Sequence, residues 1–221
     1  MSKTPLVPIA LAFMLAAGVA ARAADPASNP AKEPAVKGAS AKAAAGRDAK
    51  MPSQDEMMAA WMKLAAPGEH HAQLKALAGS WKTVVKSWEG PGEPKVSEGT
   101  CESTLMMDGR YLKEEYTGDF GGMPFQGIGI TGYDNIKKKY VSSWVDNFGT
   151  GIMESEGTID PAKKVITYHS KMPDPMNPMS GKMVPVKMTT RIVDDGSHIF
   201  TMYGNREGKE VRQMEITYTR K

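Results

Sequence analysis

Cysteine is nearly missing from this sequence, since Cys101 is the only one in 221 residues. A lone thiol cannot form a disulfide within the chain, and it cannot build the multi-cysteine clusters that hold metals. A bacterial lipoprotein anchor also requires a cysteine directly after an apolar leader, and Cys101 lies far beyond that position. The single cysteine therefore excludes a disulfide framework, a cysteine-rich metal site and a lipid anchor of this kind.

An excess of charge of either sign is also lacking. The 28 Lys and Arg residues nearly balance the 25 Asp and Glu residues, for a formal net charge of +3. Residues 1–50 contain 7 of the basic and 3 of the acidic side chains, which leaves 21 basic and 22 acidic ones in the rest. Nucleic acids select strongly basic surfaces, so the near-neutral body predicts no nucleic-acid partner.

Beyond residue 50 the sequence lacks the nucleophile elbow G-x-S-x-G, the zinc motif H-E-x-x-H and the P-loop. Each of these motifs places a nucleophile, metal ligands or phosphate donors at a fixed spacing. Methionine, by contrast, is abundant, with 17 residues. Composition alone therefore assigns no reaction to this chain.

The first 23 residues have the pattern of a secretory signal peptide. Lys3 supplies a positive start, residues 6–21 form an uncharged apolar run, and Ala21-Arg22-Ala23 fits the small-x-small cleavage rule. We predict cleavage after Ala23 and a periplasmic or secreted protein that has no membrane contact afterwards. The alternative is an uncleaved anchor, but a short Ala-rich run inserts weakly into a bilayer.

Residues 24–50 are predicted to be a disordered spacer. They contain ten Ala, three Pro and five basic residues. Such a segment buries too little apolar surface to offset the chain entropy that is lost on folding.

A helical lead-in is predicted over residues 51–79. Ser53 and Glu56 have the spacing of a capping box, and Met57 and Trp61 lie on one apolar face of the helix that follows. A second short helix is predicted over residues 69–78, before Gly79 ends it. We expect this helical pair to pack on the domain that follows.

From residue 80 to 221, apolar residues recur with the period of two that is typical of β-strands. Short turns separate the segments, so the strands must be antiparallel, because parallel crossovers need about a dozen residues or more. A sheet of this size in one domain either splits into a sandwich or closes, and closure removes its edges. We predict an all-β, closed antiparallel barrel. Its ten strands are predicted over 80–88, 96–106, 110–118, 123–133, 139–146, 150–159, 164–171, 185–193, 198–204 and 211–220.

Two marks resemble the calycin group of lipocalins, fatty-acid-binding proteins and nitrobindins. Gly79-Ser80-Trp81 stands where a short helix enters the first strand, and Arg220 stands at the end of the last one. The resemblance implies that Arg220 packs over Trp81 in a cation–π contact that closes one end of the barrel.

Seven sequence blocks are similar to the domain-of-unknown-function family 1579. The resemblance implies an exported bacterial calycin-like barrel, and it implies no activity. The blocks include Gly132-Tyr133-Asp134-Asn135 and Met214-Glu215-Ile216-Thr217-Tyr218, and in full they lie at 71–81, 109–112, 124–127, 132–135, 144–146, 174–182 and 214–218.

A closed barrel leaves room inside for a small ligand. Alternation along the third strand places Glu114 and Tyr116 on the same side as Leu112, the side that we expect to face inward. An inward carboxylate requires a partner, for which Arg191 and Arg212 are the candidates. We therefore favour the interpretation of Glu114 as a polar group of a cavity over its interpretation as a catalyst.

Three further residues are predicted to contact the ligand. Phe125 and Trp144 are the aromatic candidates, and Gln126 is a polar anchor. Adjacent residues of a strand face opposite sides, so Phe125 and Gln126 cannot both point inward.

A methionine-rich loop is the one segment that hints at metal chemistry. Met172, Met176, Met179 and Met183 lie within twelve residues, with His169 nearby. Thioethers are soft ligands that suit Cu(I). Methionine also fills gaps in packed structures, so the alternative, which we favour, is a packed lid over one mouth of the barrel.

Haem is a second cofactor hypothesis. His169 and His198 lie on strands that are separated by one other strand, and an inward imidazole would be an axial ligand, as in nitrobindin-like barrels. An ordinary surface or core histidine is the favoured interpretation, and we predict no cofactor.

Three function hypotheses follow from the sequence. The first is a non-enzymatic protein that binds a small, mostly apolar ligand inside the barrel. The second is an enzyme that acts on a small molecule in the same cavity. The third is a structural or partner-binding module. The sequence leaves the oligomeric state open.

Overall fold

The structure, a computed structural model, describes residues 51–221. The predicted signal peptide and spacer therefore lie outside the described residues. Within residues 51–221, no helix is long and apolar enough to cross a membrane.

Helix α1 spans Gln54–Ala65 and begins with the predicted capping box. The Ser53 N–H donates to Glu56 Oε2 at 2.6 Å, and the Glu56 N–H donates to Ser53 Oγ at 3.2 Å. Every residue of α1 is exposed, so its predicted apolar face is not buried. Of the described residues, 51–63 and 64–221 belong to two separate compact units.

The second predicted helix is α2, over Glu69–Gln73, which tightens into a 3₁₀ turn over Leu74–Leu77. Leu74 and Leu77 are buried in the core of the barrel domain. This short helical segment therefore supplies apolar side chains to one end of the barrel.

Ten antiparallel strands follow, as predicted, and they close into a barrel in which each strand pairs with its neighbours in sequence and β10 pairs with β1. Their close agreement with the predicted ranges reflects how strongly period-two patterning and turn residues specify a meander. The strands are β1 Gly79–Ser87, β2 Lys95–Met106, β3 Tyr111–Phe120, β4 Met123–Asp134, β5 Lys139–Asp146, β6 Met153–Asp160, β7 Val165–Pro173, β8 Met183–Asp194, β9 Ser197–Arg206 and β10 Lys209–Arg220.

The hairpin between β3 and β4 shows how the turns enforce this topology. Gly121 and Gly122 have φ of 63° and 86°, the left-handed values that a two-residue type I′ turn requires. Asp119 Oδ1 accepts a hydrogen bond from the Gly122 N–H at 2.8 Å and holds the turn.

One end of the barrel is closed around Trp81, which is fully buried. Its Nε1 donates to the Leu77 carbonyl at 3.1 Å, which ties the 3₁₀ turn to β1. The Arg220 guanidinium lies 4.3 Å from the centre of the Trp81 ring, and Arg220 also donates to the carbonyls of Ala78 and Asp195. This is the arrangement that the resemblance to calycins implies.

The opposite end carries the longer loops, over residues 88–94, 147–152 and 174–182. The methionine-rich loop is one of these three. Side chains at this end, including Trp88 and Pro175, line the interior cavity, so the cavity approaches the surface here.

Candidate functional site

A cavity of about 230 Å³ occupies the barrel interior. Nine aromatic side chains and five methionines line it, which accounts for part of the methionine content. Pockets for drug-sized ligands usually measure about 300–1,000 Å³. The cavity therefore suits a small ligand that is largely apolar.

Four of the five residues that the sequence predicts as ligand contacts line this cavity: Glu114, Tyr116, Phe125 and Trp144. Gln126 does not, because it lies on the outer face of β4 and is exposed. The strand pleat decides between the two neighbours in favour of Phe125. The prediction that Gln126 is a polar anchor for the ligand is therefore wrong.

Glu114 projects into the cavity from β3 and makes no ion pair or side-chain hydrogen bond with any residue in the 51–221 range. Burial raises the pKa of its carboxyl to about 7. At neutral pH the group is therefore present in both forms, one that donates a hydrogen bond and one that only accepts.

Neither predicted arginine partner reaches Glu114. Arg212 donates to Glu215 Oε2 at 2.6 Å and lies over the Trp88 ring at 4.2 Å. Arg191 is exposed on β8. The sequence therefore predicts the inward direction of Glu114 correctly, but the arginine partner that it predicts for this carboxyl is wrong.

Two tyrosines that the sequence analysis missed join Glu114 in the cavity. Tyr168 on β7 and Tyr218 on β10 are at least nine-tenths buried, and both line the cavity. Their hydroxyls make no hydrogen bond with any described residue. Burial, and after it the Glu114 charge, raises the pKa of both phenols well above the usual value. Each tyrosine lies two residues after an isoleucine, Ile166 or Ile216, on the same face of its strand. This alternation is the sequence signal that could have placed both tyrosines inward.

His198 lies deeper, at the closed end. Its ring stacks on Tyr218 at 4.1 Å and meets the Trp81 ring edge-on at 4.5 Å. Among the described residues, its Nδ1 is the only fully enclosed side-chain nitrogen or oxygen without a hydrogen-bond partner. Burial, and then the charge of Arg220, lowers the pKa of His198 to about 4, so the imidazole is neutral at pH 7.

Trp144 forms one wall of the cavity and lies flat over β4. Its Nε1 donates to Asp146 Oδ2 at 2.9 Å. A Cβ at Gly127 would overlap the indole ring, and one at Gly129 would come within 3.2 Å of it and 3.5 Å of Glu114 Oε2. These glycines make room for the cavity wall. Together with Gly132 they match the letters G-x-G-x-x-G, but they lie inside an antiparallel strand and not at a strand–helix turn, so they form no dinucleotide site.

We expect Gly127→Ala to displace Trp144 and lower the free energy of unfolding by about 1–3 kcal/mol, the usual cost of overpacking. Urea unfolding followed by circular dichroism measures the change. Gly151→Ala is the matched control, because a Cβ there meets nothing within 4 Å. Equal stability of the two variants would contradict the assigned role of Gly127.

The methionine-rich loop does not bring its thioethers together with His169. Met172 is buried and lines the cavity, whereas Met176, Met179 and Met183 are 76%, 72% and 51% exposed. His169 is exposed on β7, three residues from Met172 and therefore on the opposite face of the strand. The geometry thus offers no shared Cu(I) site of these five residues. Met176 and Met179 are also more exposed than the side chains of a tightly packed lid would be.

For catalysis, the candidate proton-transfer group of the cavity is the Glu114 carboxyl, whose pKa burial raises to about 7. Burial, and after it the Glu114 charge, raises the pKa of the Cys101 thiol to about 12, so it stays protonated and unreactive at neutral pH. Within residues 51–221, no three His, Cys, Asp or Glu side chains are grouped so that they could hold a metal ion. The arrangement is that of an aromatic cavity with a titratable carboxyl.

Comparison with known proteins adds the family. A family model described as "Protein of unknown function (DUF1579)" matches residues 66–220, a range that includes all ten strands. No curated protein matches the chain. Among solved structures, a redesigned β-barrel is similar with 14% identity over 66% of this chain and 93% of that chain, at a TM-score of 0.36. The crystal structure of Rv2717c from M. tuberculosis is similar with 12% identity over 71% of this chain and 99% of that chain, at a TM-score of 0.48.

Proposed function

The chain belongs to the DUF1579 family, whose description assigns no activity, and from its cavity we propose that it is a non-enzymatic protein that binds a small, mostly apolar molecule with one polar group inside the barrel. The observation that carries the proposal is the unpaired Glu114 in an aromatic cavity. A buried carboxyl without a partner costs stability, and a ligand that satisfies it recovers that cost on binding.

The surroundings of Glu114 support binding over structural filling. The hydroxyls of Tyr168 and Tyr218 are also without partners among residues 51–221, and they line the same cavity as the carboxyl. None of these three groups has a fully enclosed oxygen, so each is open to a partner that enters the cavity. Three unpaired polar groups facing one space indicate a site for a polar atom that comes from outside the chain.

The second candidate function is an enzyme in the same cavity. A carboxyl with a pKa of about 7 suits general acid–base catalysis at neutral pH. Activity would also require a second reacting group beside it. The raised pKa of the Cys101 thiol disfavours that role for it, and ligand binding is the stronger proposal.

Native mass spectrometry of the protein purified from its own host tests the binding proposal. We expect a bound small molecule, in addition to the mass of the chain, that disappears in Ser142→Leu, because Ser142 lines the cavity. Ser143→Leu, one residue away and outside the cavity lining, is the matched control and should retain the bound mass. Apo protein from the host, with no added mass in any preparation, would overturn the proposal.

We also propose export, on the N-terminal pattern alone. The same spectrum should then show a mature chain that begins at Ala24, and cell fractionation should recover it from the periplasm or the medium. A full-length mass in the cytoplasmic fraction would contradict export without affecting the binding proposal.

A further inference from the structure

The charges that line the cavity all have one sign. Glu89, Glu114, Asp119 and Asp146 line it, and no Lys or Arg of residues 51–221 does. The chain as a whole is nearly neutral beyond residue 50, with 21 basic and 22 acidic residues. The acidic lining is therefore a local feature of the cavity and not a consequence of composition.

Three of these four carboxyls have no counter-ion among the described residues. Glu89 is paired with Lys95, whose Nζ lies 2.6 Å from Glu89 Oε1. Glu114, Asp119 and Asp146 form no ion pair with any part of the described chain. Asp146 is held in place by the N–H groups of Trp144 and Phe148, each at 2.9 Å. A fixed carboxylate with no cation beside it contributes a negative potential to the cavity.

The unpaired acids are spread along the depth of the cavity. Asp119, which is exposed, and Asp146 stand at the rim of the cavity, at the loop-bearing end of β3 and β5, and Glu114 stands five residues further in along β3. At about 3.3 Å per residue, this separates Asp119 from Glu114 by roughly 16 Å of strand. A cation entering from this end therefore meets acidic groups from the mouth to the interior.

Aromatic rings lie between these two levels. Phe125 is central to the group: its ring centre is 5.2 Å from that of Phe148, 5.8 Å from that of Tyr116 and 6.5 Å from that of Trp144. The faces of such rings carry negative partial charge and attract ammonium groups. The rings and the carboxyls thus both favour a positively charged ligand.

An anionic ligand finds no matching group in this cavity. Residues 51–221 contribute no guanidinium or ammonium to the lining, and His198 is neutral at pH 7 because burial lowers its pKa. A ligand carboxylate or phosphate beside Glu114 would therefore place two like charges in a poorly hydrated space, an arrangement that costs free energy.

We propose that the ligand is a hydrophobic amine, protonated in solution, whose ammonium group is bound by Glu114 and the hydroxyls of Tyr168 and Tyr218, with its apolar body among the aromatic and methionine side chains. This inference rests on the proposed binding function and specifies its ligand class. Tyr168 and Tyr218 are 6% and 8% exposed and lack hydrogen-bond partners among residues 51–221, so they point to an external polar group independently of the acidic residues.

Three probes with the same alkyl chain test the charge of the ligand: n-octylamine, 1-octanol and octanoate, each titrated calorimetrically into the full chain at pH 7.5. We expect the amine to bind at least about tenfold more tightly than the alcohol, and the octanoate to bind more weakly than both. Equal or tighter binding of octanol or octanoate would overturn the inference, and so would absence of amine binding at millimolar concentration.

Two neighbouring substitutions assign the effect to Glu114. Glu114→Gln should weaken octylamine binding at least about tenfold and change octanol binding by less than about threefold. Glu115→Gln is the matched control, because Glu115 lies on the outer face, where Lys113 Nζ is 2.8 Å from its carboxylate, and it should leave all three affinities unchanged. Equal octylamine affinity in Glu114→Gln and the unsubstituted protein would overturn the inference.

The two proposals fail in different ways. If the host-purified protein carries a neutral or anionic molecule, the barrel is a binding protein and the amine inference is wrong. If it carries nothing and no probe binds, both are wrong.

Discussion

Trp81→Ala is expected to lower the free energy of unfolding by about 3–5 kcal/mol, the range for removing a buried aromatic side chain. Trp81 is fully buried and contacts three other groups: the Leu77 carbonyl through its Nε1–H, the Arg220 guanidinium at 4.3 Å and the His198 ring at 4.5 Å. Its removal therefore leaves a void and detaches the 3₁₀ turn that covers this end of the barrel.

Urea unfolding followed by circular dichroism measures this effect, with Trp61→Ala as the matched control. Trp61 lies on α1 with 65% of its surface exposed, so the same substitution there should change stability by less than about 0.5 kcal/mol. A Trp81→Ala protein within 1 kcal/mol of the unsubstituted one would show that Trp81 does not close the barrel.

Glu114→Gln is expected to stabilise the ligand-free protein at pH 8 by about 2–3 kcal/mol and to leave its stability nearly unchanged at pH 4. The pKa of Glu114 is about 7 in the folded chain, against an ordinary value of 4.5. Between pH 4.5 and pH 7, the folded state therefore holds a proton on Glu114 that the unfolded state has released. Stability therefore falls as pH rises from 4.5 to 7, and the full loss persists above 7.

The difference between variant and parent isolates this group, because every other titrating residue is the same in both proteins. Urea unfolding of both at pH 4, 6 and 8 provides the measurement. Glu115→Gln should show no such trend, since an exposed ion pair contributes only about 0–1 kcal/mol. A Glu114→Gln protein that is less stable than the parent at pH 8 would mean that the carboxylate has a favourable partner, and the binding proposal would lose its main support.

Local patterns in the sequence determined much of the fold. Each predicted strand corresponds to an observed one because alternation and turn residues act over a few positions. The capping box at Ser53 and Glu56 forms with the predicted hydrogen bonds for the same reason. Alternation also placed Glu114 and Tyr116 on the inner face of β3 correctly, since parity along a strand requires no knowledge of its neighbours.

The prediction failed where it depended on distant strands. The predicted pairing of Glu114 with Arg191 or Arg212 is wrong because the register between distant strands is not visible in the sequence. Arg191 is exposed, and Arg212 donates to Glu215 instead. The methionine-rich loop illustrates the same limit. Its residues are close in sequence, but the pleat of β7 buries Met172 and exposes His169.

The sequence by itself therefore determined a closed antiparallel barrel and the inward direction of Glu114, whereas the contact between Trp81 and Arg220 was implied by the resemblance to calycins. Only the tertiary structure decided that Glu114, Tyr168 and Tyr218, from three strands far apart in the chain, line one cavity without partners among the described residues. It also decided that, among residues 51–221, no Lys or Arg lines this cavity beside the carboxyls. The physical reason is that secondary structure follows from interactions over a few residues, whereas the contents of a cavity depend on how ten strands close around it.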